Sequence, residues 1–145
     1  MSTQCRRVKL QDLCTIERAK SGKKYRAGTC FVKMSAVDEF VGQLQTAGEI
    51  DSRYAAIEPK KEMNLKYLHI AINRKFPEFL RRYRTTINLQ ESTLKHFAID
   101  WHEDKKVQEK IVKEIDEIEK EINLIERQID CEKEMKKWYL SKLFI

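Results

Sequence analysis

The sequence predicts an elongated, all-α protein: short N-terminal helices followed by a long kinked helix that forms a coiled coil. Three observations lead there. Apolar residues step by three and four in one frame from residue 80 to residue 143, the period of a left-handed supercoil. With Gly 4 and Pro 2 in 145 residues, turn formers are scarce. Charged residues make up 36% and aromatics 9%, a balance suited to a long helix rather than a thick core.

Residues 1–33 read as a basic arm, with Arg6, Arg7, Lys9, Arg18, Lys20, Lys23, Lys24, Arg26 and Lys33 against Asp12 and Glu17. Leu10, Leu13 and Ile16 suggest a short amphipathic helix ending near Ser21 and Gly22, and the following KKYRAGTCFV reads as extended chain. Residues 34–59 predict a short docking helix and a connector. Ser35 and Asp38 stand three apart like a capping box, Val37, Phe40, Val41 and Leu44 mark one face, and Gly48 suits the position past the end. Such a short helix must lie on something to persist.

Residues 60–145 predict the long helix. Pro59 is placed to open it. Leu65, Leu68, Ile72 and Phe76 make its first stripe, and Pro77 marks a kink or a fresh start. A single seam then runs through Leu80, Tyr83, Ile87, Leu94, Phe97, Trp101, Ile111, Ile115, Ile118, Ile122, Ile125, Ile129, Tyr139 and Leu143. Gln90, Asp104, Gln108, Glu132 and Lys136 fall in the same frame as polar layers. Such layers weaken a seam but fix register and partner.

The flanks bear on partner choice. Glu114, Glu119, Glu121 and Glu126 line the seam at the positions that face across a coiled coil. Self-pairing, parallel or antiparallel, sets like charges together at a few tenths of a kcal/mol each. The expected partner is therefore a different coiled-coil protein with basic flanks. Met135, Trp138, Tyr139, Leu140, Leu143, Phe144 and Ile145 make a crowded apolar tip with no capping residue after it. The helix is expected to continue beyond residue 145 or to dock there.

A second basic zone contains Lys60, Lys61, Lys66, Arg74, Lys75, Arg81, Arg82 and Arg84, interleaved with Tyr67, Phe76, Phe79 and Tyr83. These residues suit an acidic surface. A protein surface is preferred, and tubulin or another acidic filament would use the same electrostatics. Nucleic acid, whose bases would stack on the aromatics, is the less favoured reading. The net charge of +6 permits either.

No catalytic, cofactor-binding or metal-binding constellation emerges. His69, His96 and His102 lack metal-binding spacing, no Gly-rich phosphate loop is present, and Cys5, Cys14, Cys30 and Cys131 form no CxxC pair. The cysteines read as reduced thiols of a cytoplasmic, non-enzymatic protein. The N-terminus lacks the apolar run of a signal peptide, and no stretch reaches the ~20 apolar residues of a membrane span.

The stretch KFPEFL at residues 75–80, the long charged helix with EIDEIEKEINLIE, and the closing MKKWYLSKLF resemble the coiled-coil domain of ciliary and flagellar axonemal proteins, the modifier-of-inner-arms and sperm-tail coiled-coil relatives. The resemblance covers residues 75–145. It implies a structural component of the cilium or flagellar axoneme that tethers a larger complex to microtubules. Two alternatives stand beside it: a small coiled-coil subunit of a cytosolic tethering or chromosome-segregation complex, and a basic nucleic-acid-binding protein.

Overall fold

A computed structural model describes residues 4–35, 37–83 and 89–145. The all-α expectation is overturned, because eight strands are present among these residues. Ile87 and Arg84, expected in the seam and the basic zone, lie outside the described residues. The chain divides into two units, Met1–Glu109 and Lys110–Ile145.

The first unit opens with β1 (Cys5–Lys9), which pairs antiparallel with β8 (Ala98–His102) in a two-stranded ribbon. The helix expected around Leu10 to Ile16 is a single turn, α1 (Leu10–Leu13), running directly into β2 (Cys14–Arg18). Cys14 and Ile16 then alternate inward with period two, the strand rhythm rather than the helical one. β3 (Lys24–Tyr25) pairs with β6 (Gly48–Glu49). β4 (Cys30–Lys33), β5 (Val41–Gln43) and β7 (Tyr54–Pro59) join β2 in an antiparallel sheet of order β2-β7-β4-β5.

The docking helix expected over residues 34–48 is not formed: among the described residues of this stretch a turn leads into β5. Asp38 does not cap a helix; its carboxylate accepts from the backbone N–H of Phe40 at 3.0 Å and turns the chain into the strand. The reason for a strand here is Gly42, which stands opposite Phe31 across the β4–β5 ladder. The Phe31 ring occupies the space a Cβ at residue 42 would need. An aromatic covering a glycine in this way is a cross-strand device no helix could reproduce.

α2 (Leu65–Tyr83) begins where Asn64 accepts from the N–H of Tyr67 at 3.1 Å. It passes through Pro77 without ending. Proline there removes one hydrogen bond, and burial of Phe76, Phe79 and Leu80 holds the helix around it. α2 buries Leu68, Ile72 and Phe76 completely. Its start reaches β5 through Gln43, whose amide donates to the Leu65 carbonyl at 2.8 Å, and through His69, whose Nε2 lies 2.8 Å from the Val41 carbonyl. Gly28 supports the same junction: it adopts φ +87, a conformation that favours glycine, and Leu65 fills the space beside its Cα.

The continuous register expected from residue 80 to residue 143 is broken. α3 (Glu91–Leu94) is one turn, and β8 follows it. Leu80, Leu94, Phe97 and Trp101 are buried in the first unit, on two helices, a turn and a strand. α4 (Lys105–Leu143) starts at Asp104, whose carboxylate accepts from the N–H of Lys106 at 2.9 Å, an N-cap. Gln108 is buried and donates to the His102 carbonyl, so this expected seam layer instead ties α4 to β8.

The second unit is the remainder of α4. Ile111 and Ile115 are half-buried, whereas Ile118, Ile122, Ile125 and Ile129 are 47–52% exposed. Trp138, Tyr139, Leu140, Leu143, Phe144 and Ile145 are all exposed. No helix of the described residues is long and apolar enough to cross a membrane.

Candidate nucleic-acid interface

The positive charge is concentrated in one unit. Residues 1–109 hold 21 Lys and Arg against 14 Asp and Glu, whereas residues 110–145 hold 8 against 9. The surplus therefore lies on the β-containing unit, and α4 beyond residue 109 is nearly neutral.

Much of that charge is tied down locally. Glu17 accepts from Lys23 at 2.6 Å and from the Tyr25 hydroxyl at 3.1 Å, and its carboxyl is held below the ordinary range chiefly by Lys23. Asp51 pairs with Arg53 at 3.1 Å and Glu58 with Arg26 at 3.6 Å. Asp100, on β8, takes both Arg74 and Lys75 of α2. Burial pushes the Asp100 carboxyl up, but the hydrogen bonds from Arg74 and Lys75 outweigh it and hold the group below its usual value. Arg6 pairs with Glu103.

Arg7, Lys61, Arg81 and Arg82 make no ion pair among the described residues. Lys61 lies beside Arg26 and Pro59 in a shallow pocket near the start of α2. Lys60 donates to the Gln11 carbonyl at 2.6 Å and so braces α1.

The other cluster lies where the C-terminal end of α2 meets the ribbon. Arg7 of β1, Lys75, Glu78, Arg82 and Tyr83 of α2, and His96 of the turn before β8 line one cleft. Its floor is Phe79 and Phe97, both buried, with ring centroids 4.8 Å apart. The Tyr83 and His96 rings lie nearly parallel, at 10° and 6.3 Å. Cations on the rim and rings in the wall are the elements that hold a phosphate and its attached nucleotide.

The structure thus separates the residues expected to act together. Arg74 and Lys75 are engaged with Asp100, Lys60 and Lys61 lie at the other end of α2, and Arg81 and Arg82 are exposed near its C-terminus. Tyr83, expected in the seam, lines the cleft instead. Glu114, Glu119, Glu121 and Glu126 are exposed on α4, as are Tyr139 and Leu143. Sequence reasoning missed Arg7 and His96. Only the pairing of β1 with β8, across about 90 residues, brings them to the same cleft.

No family model matches the sequence, and no curated protein matches it. Solved structures do match the fold. A chain from a structure on complex assembly and conformational transition of the type I R-M (restriction-modification) system aligns with a TM-score of 0.76 over 94% of this chain and 44% of that one, at 18% identity. The type I restriction-modification S subunit from M. genitalium aligns at 0.72 over 97% of this chain and 46% of that one, at 13% identity. The HsdS subunit from Thermoanaerobacter tengcongensis aligns at 0.67 over 88% and 40%, at 15% identity. These matches overturn the axonemal resemblance, which rested on the KFPEFL, EIDEIEKEINLIE and MKKWYLSKLF stretches of residues 75–145. The expected tethering role, the tubulin surface and the ciliary location lose their support with it. The chain spans less than half the length of the solved chains it matches, and at these identities what it shares with them is the fold, in both its β-containing unit and its long helix.

Proposed function

We propose that this chain is a DNA-recognition part of a type I restriction-modification specificity subunit. The observation that carries the reading is the fold match to S-type subunits over 97% and 88% of the chain. The charge distribution supports it, since the surplus of cations belongs to the β-containing unit. In this role the first unit contacts DNA through its basic surface, and the chain itself performs no catalysis. Its partners are other subunits of such a system. The exposed isoleucines of α4, Ile118, Ile122, Ile125 and Ile129, form a contact row for another helix, with Glu114, Glu119, Glu121 and Glu126 along its flanks.

The test is selection from a randomised duplex DNA library on the immobilised full chain. Enrichment of a defined sequence, with affinity that falls as salt rises, is the expected result. Failure to retain duplex DNA even at 50 mM salt would sink the proposal.

A further inference from the structure

The cleft between α2 and the β1–β8 ribbon has more structure than a basic surface needs. Its two cationic ends come from segments far apart in sequence, Arg7 on β1 and Arg82 on α2. Both are exposed and neither forms an ion pair among the described residues, although the Glu78 carboxylate lines the same cleft. The third cation differs. Lys75 sits 3.2 Å from Asp100 and 3.4 Å from Glu78. Its charge is spent within the protein, leaving the two arginines to face a ligand.

The rings beside them are held from below. Tyr83 packs on Phe79 at 4.8 Å, and Phe79 packs on Phe97. The turn that carries His96 is fixed at both sides: His96 N–H donates to the Thr93 carbonyl, Phe97 N–H to the Leu94 carbonyl, each at 3.1 Å, and the Phe97 carbonyl accepts from Leu10 N–H at 2.9 Å. His96 nevertheless remains exposed. A surface imidazole on a braced turn, parallel to a tyrosine ring and beside two unpaired guanidiniums, offers a nucleotide both cations and ring faces at the surface. Guanidiniums suit phosphate oxygens through their planar array of donors, and ring faces accept a base or sugar whatever the sequence.

We infer that this cleft seats one nucleotide of the bound DNA, with Arg7 and Arg82 on its backbone phosphate and the Tyr83–His96 wall against its sugar and base. The inference rests on the DNA-recognition reading above. It makes the cleft a register point, since phosphate contacts position a protein on the duplex while other surfaces read the sequence.

The experiment is fluorescence anisotropy of a labelled 30-base-pair duplex of mixed sequence, titrated with the full chain between 50 and 300 mM salt. Arg7→Gln with Arg82→Gln is compared with the charge-matched Lys113→Gln with Lys120→Gln on α4. Each phosphate contact adds about 0.9 to the salt slope. The cleft pair, which shares one phosphate, should therefore lower the slope by about 1 and weaken binding roughly tenfold at 100 mM salt, while the α4 pair changes neither. His96→Ala should weaken binding several-fold without altering the slope, and His96→Phe, which keeps a ring, should restore it. Circular dichroism establishes that each variant is folded. If the wild type binds duplex DNA and the cleft pair keeps its affinity and slope, the cleft is not the site and the broader reading stands. If the wild type binds no DNA, both fall. Tighter, cleft-dependent binding to duplex RNA than to DNA would overturn the choice of ligand.

Discussion

The Tyr67 hydroxyl lies 3.0 Å from the backbone nitrogen of His102 and 2.7 Å from Nδ1 of the same residue. It accepts a hydrogen bond from the N–H and makes a second hydrogen bond with Nδ1 of the ring. The ring of Tyr67 meets Trp101 edge-on at 4.9 Å, and the carbonyl of His102 accepts from Gln108. One buried phenol thus ties the first turns of α2 to the end of β8, where α4 departs.

Tyr67→Phe should therefore destabilise the first unit although it removes a single oxygen. It leaves the His102 N–H and ring nitrogen without their partner, a loss of about 1–3 kcal/mol. Urea denaturation followed by tryptophan fluorescence, with Trp101 as the local reporter, should show a lower midpoint. An unchanged midpoint would mean that water replaces the hydroxyl freely.

The four cysteines should divide in two. Burial pushes the thiols of Cys14 and Cys30 up to about 12, whereas Cys5 and Cys131 are exposed. At pH 8 a chromogenic disulfide reagent should titrate two thiols quickly in the native chain and four in denaturant, because only the thiolate reacts. Fast reaction of all four without denaturant would show that the sheet opens readily around β2 and β4.

Acid should weaken the α2–β8 junction in a defined window. The folded Asp100 carboxyl lies below its ordinary value of 3.8. Its contribution to stability is complete above the unfolded value, begins to decline as pH falls below 3.8, and is gone once pH passes the folded value. Asp100→Asn should be less stable than wild type near neutrality, and the gap should narrow below that pH. A gap of constant size from pH 7 to pH 3 would show that Arg74 and Lys75 gain nothing from this carboxylate.

On α4, Ile122→Asp should disrupt assembly through the proposed contact row, because the new carboxylate would enter an apolar contact unpaired. Glu117→Lys, away from that row, should have little effect. Sedimentation of the chain with its partner helix should show at least tenfold weaker association for the first variant alone. Equal losses from both would remove the isoleucine row as the contact.

α4 was legible because its pattern is local. Its isoleucines and its charge spacing lie within a few residues of what they affect, whereas Asp104, which the frame reads as a polar layer, caps the start of the helix instead. Much of α2 was legible for the same reason, through Leu68, Ile72 and Phe76. The strands were not. Phe97, Ile99 and Trp101 alternate inward, a period-two signal that identifies β8, yet Leu94, Phe97 and Trp101 also satisfy a three–four step, and the longer frame absorbed them. A helix satisfies its hydrogen bonds within four residues, so its sequence can specify it almost alone. A strand's bonds go to a partner that periodicity does not name. The partner of β1 is β8, with Arg7 set opposite Asp100. Only that non-local pairing could bring Arg7 to the side of Arg82 and His96, and with it decide where the basic surface acquires a cleft.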